Sequence, residues 1–269
     1  MKKTIILLGL TLTNVALADL RYLHGLGDTR YHHVESEAVG RGFHVYVSVP
    51  AGYAEAAERY PALYVLDGGA LYPIFASYYR YLEFGEEVPE MIIVGIAYDG
   101  DDFAGGNYRG TDYTAPSDER EYWGGAPRFQ AFLDRELLPL VESTYRADSE
   151  RRIIFGQSIG GQFVLYTAQT MPGLFWGHIA SNPALHRNVD FFLDTRPPAD
   201  APSGSRLYVA SATGDDPRFR EPALAWMRHW NTVDEKPWQL ATVDLEGHSH
   251  MSAPPASFRG GLRWLFGTD

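Results

Sequence analysis

The chain has 269 residues, 45% hydrophobic and 21% charged, which is enough apolar material to fold and argues against disorder. Acidic residues outnumber basic ones by 34 to 23, for a formal net charge of −11. That balance argues against a nucleic-acid partner, which needs a basic face, and against docking on an anionic membrane. Cysteine is absent, which excludes disulfide scaffolds, thiolate metal sites and a cysteine nucleophile.

Residues 1–18 read as a secretory signal peptide. Lys2 and Lys3 form a positive start, Thr4 to Ala18 is almost wholly apolar, and Ala16-Leu17-Ala18 is a small-x-small cleavage site. The apolar run is about 15 residues, short of the ~20 that a spanning helix needs. Cleavage after Ala18 predicts a periplasmic or secreted protein. No later segment is long and apolar enough to suggest a membrane span in the remaining chain, residues 19–269.

Strands and helices then alternate. Phe43 to Val49, Tyr60 to Leu66, Met91 to Tyr98, Arg152 to Phe155, Gly177 to Ala180, Leu207 to Ala210 and Leu240 to Leu245 read as strands. Helices are predicted over 70–84, 159–170, 219–230 and 255–266. A further one carries Phe129, Phe132, Leu133, Leu137, Leu140 and Val141 on one stripe, with Pro139 expected to kink its last turns. Continuous apolar strands between helices predict one α/β domain of the doubly wound type, its mostly parallel sheet covered on both faces. Asp99 to Ala126 is glycine-rich, acidic and aperiodic, and a loop of that length is usually functional.

Gly156-Gln157-Ser158-Ile159-Gly160 matches G-x-S-x-G between a strand and a helix, the setting of a nucleophile elbow. A serine hydroxyl needs a base, and a hydrolase triad runs serine, acid, histidine along the chain. His186 and His229 lie early or within a helical pattern. His248 and His250 follow the last strand, where a base can reach the elbow, and both stay candidates on position alone. They suggest no metal site, because no third ligand is spaced with them. Asp215 and Asp216 follow the strand at 207–210, and either can orient the imidazole. The amide of Ile159, next to the serine, is one oxyanion donor. The second is expected in Leu66-Asp67-Gly68-Gly69, with Gly69 ahead of Gly68.

These residues sit in an ordered set of longer motifs. Val45-Tyr46-Val47 leads to Pro50 and Gly52-Tyr53, and Tyr60-Pro61 leads to Leu66-Asp67-Gly68. Phe132 to Tyr145, Gly156 to Gly161, His250-Met251-Ser252 with Pro255, and Gly261 to Phe266 follow. From about Glu35 to Phe266 the chain resembles the esterase D and enterochelin-esterase-like family of serine α/β hydrolases. The resemblance implies a single α/β-hydrolase domain and His250 as base, with His248 a neighbour. It also aligns Asn107 to Pro116 with a family stretch in which Arg109 either binds a polar group of the substrate or ties down the long loop through Asp112. Asp215 directly follows Gly214, closer than the family's spacing. Asp215 is therefore preferred over Asp216 only slightly, and a Ser158–His250 dyad stays open.

The expected activity is ester hydrolysis through an acyl-enzyme on Ser158, on a siderophore (catecholate) or small acyl ester, with neither metal nor organic cofactor. Acyl transfer from the same site and a non-catalytic binding protein on the same scaffold are the alternatives. The aromatic run Leu71 to Tyr81 either walls the pocket or packs in the core.

Overall fold

The computed structural model describes residues 23–198 and 204–268. The proposed signal peptide therefore lies outside the described residues. Eight strands form one sheet: β1 (Asp28–Ser36), β2 (Arg41–Val49), β3 (Tyr60–Val65), β4 (Ile92–Ala97), β5 (Ala147–Gln157), β6 (Gly177–Ser181), β7 (Ser205–Ala212) and β8 (Trp238–Leu245). Their order is β1-β2-β4-β3-β5-β6-β7-β8. β2 runs antiparallel to both its neighbours, and the block from β4 to β8 is parallel.

The continuous apolar runs follow from a sheet buried on both faces. Side chains alternate across a strand, so neighbouring residues enter different cores. Ala62 and Tyr64 of β3 and Ile154 of β5 face one core, built with α3 (Ala126–Phe132), α4 (Leu138–Thr144), α5 (Ile159–Thr170), α6 (Val189–Asp194) and α7 (Pro217–Thr232). Leu63, Val65, Ile153 and Phe155 face the other, built with α1 (Gly68–Phe84) and α8 (Ala253–Phe266). Phe75 of α1 stacks on Phe258 of α8, with ring centroids 4.3 Å apart, and joins these two helices over the sheet.

Two local expectations change. The stripe from Phe129 to Val141 is not one regular helix. A π turn spans Leu133–Leu137 between α3 and α4. Pro139 has no N–H to return to the preceding turn, and the wider turn absorbs that loss. Its extra residue shifts the phase, so Leu138 is buried and Leu140 faces solvent. The second change is β1, an additional strand. It lies at the sheet edge, and its sequence Asp-Thr-Arg-Tyr-His-His-Val-Glu-Ser shows no apolar alternation because most of its side chains are exposed or half-buried.

The aromatic run on α1 divides. Tyr72, Phe75 and Tyr79 are core residues, whereas Ile74 and Tyr81 are exposed. The long segment after β4 contains one short helix, α2 (Arg109–Asp112). It is anchored by Asp112, which is fully buried. Arg41 Nη1 lies 2.5 Å from both oxygens of Asp112, and the Tyr98 hydroxyl donates to Oδ2 at 3.0 Å. Burial raises the Asp112 carboxyl above its ordinary value, and the Arg41 and Tyr98 contacts oppose that shift.

Candidate active site

The C-terminal ends of the parallel strands form one edge of the sheet, where open α/β sheets place their ligands. A cleft of about 530 Å³ opens there. The loop after β3 contributes Asp67 and Gly69, and the β4 end contributes Tyr98 and Asp99. Arg109 enters from the long loop, Gln157 and Ser158 from the end of β5, and His250 and Met251 from beyond β8.

Ser158 stands between β5 and α5 with φ 60° and ψ −116°, a backbone conformation unfavourable for a residue with a side chain. Its neighbours hold it there. The Ser158 N–H donates to the Ser181 carbonyl at 3.0 Å, and the Ser158 carbonyl accepts from Ala184 N–H at 3.0 Å. The first turn of α5 crosses directly over the end of β5. A Cβ at Gly156 would lie 2.2 Å from the Gly160 carbonyl oxygen, so this crossing requires glycine. Among the described residues four non-glycine residues have positive φ, and three of them, Asp67, Ser158 and Asn182, stand at or beside the cleft.

The two aspartates after β7 have different surroundings. Asp215 is nearly buried, and its Oδ2 lies 2.7 Å from His250 Nδ1. Its Oδ1 accepts the Asp216 N–H at 2.7 Å. An ionised carboxylate only accepts, so Nδ1 carries the proton and Nε2 is left as the acceptor of the ring. Asp216 points elsewhere and caps α7, accepting from Arg218 N–H at 2.8 Å.

His250 is held on further sides. Its carbonyl accepts from Gln157 Nε2 at 2.8 Å and from Asn182 Nδ2 at 3.4 Å. Phe219 packs over the imidazole with centroids 5.0 Å apart. Neither amide was legible as a support. Gln157 fills a variable position of G-x-S-x-G, and Asn182 reads as an ordinary Asn-Pro turn after β6. His248 is half-buried, and its Nδ1 lies 3.1 Å from the Ser252 carbonyl. His186 packs edge-on against the same Phe219, and burial lowers its pKa, with Arg187 and Arg218 adding to the effect. His229 sits on α7 beside Arg196.

Arg109 ties down the long loop, but through Asp67 and not through Asp112. Its Nε donates to Asp67 Oδ1 at 2.8 Å and its Nη2 to Oδ2 at 2.9 Å, a two-pronged pair. Burial opposes the charge, and the Asp67 carboxylate more than offsets it, so the Arg109 pKa is raised. Asp67 precedes α1, and Gly68 begins the helix against β4. A Cβ at Gly68 would lie 2.5 Å from the Ile96 nitrogen, so Gly68 is pressed into the sheet while Gly69 lines the cleft. Gly69 and Ile159 both stand in the first turn of a helix, where backbone N–H groups have no acceptor within the helix.

Strand order, the antiparallel second strand and a serine on the strained turn after β5 define the class, a serine hydrolase of α/β-hydrolase fold. The chain belongs to the Esterase family, whose model matches residues 36–260, and it is an ester hydrolase. It is 27% identical over 264 residues to a ferri-bacillibactin esterase of Bacillus subtilis, an alignment that covers 90% of each chain. Its fold is similar to that of a siderophore hydrolase of Aspergillus nidulans, with a TM-score of 0.77 at 19% identity over 93% of this chain and 97% of that one. It is also similar to an IroE-like serine hydrolase of Shewanella oneidensis, with a TM-score of 0.75 at 24% identity over 89% and 80%. No helix among the described residues is long and apolar enough to cross a membrane.

Proposed function

We propose that this esterase works through an acyl-enzyme on Ser158, with His250 as general base and Asp215 as the orienting acid. The observation that carries the reading is the 2.7 Å contact between His250 and Asp215, with His250 and Ser158 lining one cleft. Ser158 Oγ attacks the ester carbonyl carbon while His250 Nε2 takes its proton. The negative charge develops on the carbonyl oxygen, where the Ile159 and Gly69 amides donate to it. The C–O bond to the leaving alcohol breaks, and His250 returns the proton to that alcohol. Water then attacks the acyl-enzyme by the same path, releasing the acid and restoring Ser158.

The proposed substrates are siderophore esters of catecholate type, or small acyl esters of similar reach. The ferri-bacillibactin esterase supports the first class. We also propose that the chain is exported and cleaved after Ala18, so that intact-mass measurement of the extracytoplasmic protein finds a chain beginning at Asp19.

The test of the mechanism is hydrolysis of a p-nitrophenyl ester series and a catecholate triester. Ser158→Ala and His250→Ala should each lower kcat by roughly 10⁴–10⁶ without unfolding the protein, and His248→Ala should cost far less. Turnover that survives Ser158→Ala would sink the mechanism. Turnover that requires an added alcohol acceptor would reassign the site to acyl transfer.

A further inference from the structure

A second cluster of chemically capable side chains lies toward the β1 edge of the sheet. His33 of β1 and His44 of β2 are directly paired across the antiparallel ladder, so their side chains leave the same face. His44 is also paired with Ala97 of β4, and Asp99 follows two residues later. One ring nitrogen of each histidine and one carboxylate oxygen of Asp99 all lie within 4.8 Å of one another. His44 Nε2 is 2.7 Å from Asp99 Oδ1. Its Nδ1 is 2.7 Å from the Tyr31 hydroxyl, an outer contact that fixes the ring with Nε2 toward Asp99. Glu35 Oε1 stands 3.5 Å from His33 Nδ1 and adds a further carboxylate at the rim.

We propose that His33, His44 and Asp99 bind a first-row divalent cation of the zinc class. Two imidazoles and a carboxylate are the nitrogen and oxygen donors such ions take. Bonds of about 2.0 Å in a tetrahedron space the ligand atoms about 3.3 Å apart. The present spread needs only side-chain rotation to reach that geometry. The ladder holds the backbone of both histidines and Tyr31 holds the His44 ring, while the side chains of His33 and Asp99 are exposed and have room to turn toward it. Three protein ligands leave a coordination position for water or another oxygen donor.

Asp99 belongs to this cluster and also lines the Ser158 cleft. A cation held there stands at the cleft rim and offsets the carboxylates of Asp99 and Asp101. For an anionic ester this should lower KM with kcat unchanged, a consequence that rests on the proposed esterase mechanism. Cation binding itself does not rest on it.

The test is Zn²⁺ titration calorimetry on the untagged, chelator-treated protein. The expected result is one saturable equivalent of Zn²⁺ and no binding of Mg²⁺, which prefers all-oxygen sites. His33→Ala and His44→Ala should each weaken Zn²⁺ binding by at least about tenfold. His248→Ala should bind as the unaltered protein does, because it belongs to the other histidine pair. Metal-free hydrolysis of a neutral p-nitrophenyl ester should be unchanged in His33→Ala, and its circular dichroism should be unaltered. Absence of saturable binding, binding that survives both substitutions, or binding lost in His248→Ala would each overturn the proposal. Should His44→Ala not fold, His33→Ala on the edge strand decides the question. Intact Zn²⁺ binding without ester turnover would count against the esterase mechanism and leave the cation site standing.

Discussion

Asp215 and Asp216 are chemically identical neighbours, and one turn of backbone gives them different work. Asp215 faces inward to the His250 imidazole, and Asp216 faces outward to the α7 amides. Asp215→Asn should lower kcat by about 10⁴, because an amide disfavours the imidazole tautomer the base requires. Asp216→Ala should leave kcat within a few-fold and cost about 1 kcal/mol of stability through the lost helix cap. Steady-state kinetics and thermal unfolding on the two variants, run in parallel, separate these outcomes. Small and equal effects on kcat would indicate a Ser158–His250 dyad. The sequence narrowed the acid to this pair with only a slight preference for Asp215, because both residues follow the same strand. The choice depends on which carboxylate the β7–α7 turn aims at a histidine 35 residues away. The loop-tying role of Arg109 shows the same limit. Asp112 stands near it in sequence, yet its actual partner, Asp67, comes from a different strand end.

At the scale of elements, the elbow is the most constrained piece of the chain. β5 runs in parallel register with β6 up to Gln157, and α5 begins two residues later over the same strand end. Gly156→Ala places a methyl against the Gly160 carbonyl at a distance no real Cβ tolerates. The helix start must shift, which should cost at least about 2 kcal/mol. It should also lower kcat by about 10² or more, because small misplacements of a nucleophile are expensive. A denaturant midpoint and a kcat measurement check both parts, and a variant with unaltered kcat would show that the crossing does not position Ser158. The buried strands were legible because both of their faces are apolar. β1 was not, because an edge strand with solvent on most of its side chains needs no apolar pattern. The π turn was also hidden. Pro139 signals an irregularity, but whether the helix kinks or widens is decided by which of Leu138 and Leu140 the core accepts.

At the scale of the whole molecule, stability should depend on pH through a residue far from the chemistry. His178 lies fully buried in β6, and burial lowers its pKa to about 4, with a smaller opposing contribution from the Arg206 backbone. The unfolded chain takes up a proton at His178 near pH 6.5, while the folded chain resists it until near pH 4. Between these values the unfolded state holds more protons. The His178 contribution is therefore complete above pH 6.5 and is lost as pH falls toward 4, by about 3 kcal/mol in all. Urea unfolding at pH 7 and pH 4 should show this difference, and His178→Leu should remove it. An equal pH dependence in the variant would assign the loss to other groups.

Alternation of apolar strands with amphipathic helices was enough to determine a two-faced α/β sheet, because burial on both faces leaves its mark in consecutive residues. G-x-S-x-G likewise determined where a serine could be raised above the sheet, because a tight strand-to-helix crossing excludes side chains at its glycines. Only the tertiary structure decided which aspartate meets His250, that Arg109 answers Asp67, and that His33, His44 and Asp99 come together beside the cleft. Those are contacts between different strands and loops. Local sequence carries the cost of burying a side chain, but the partner a polar side chain meets is set by strand order and register across the whole sheet.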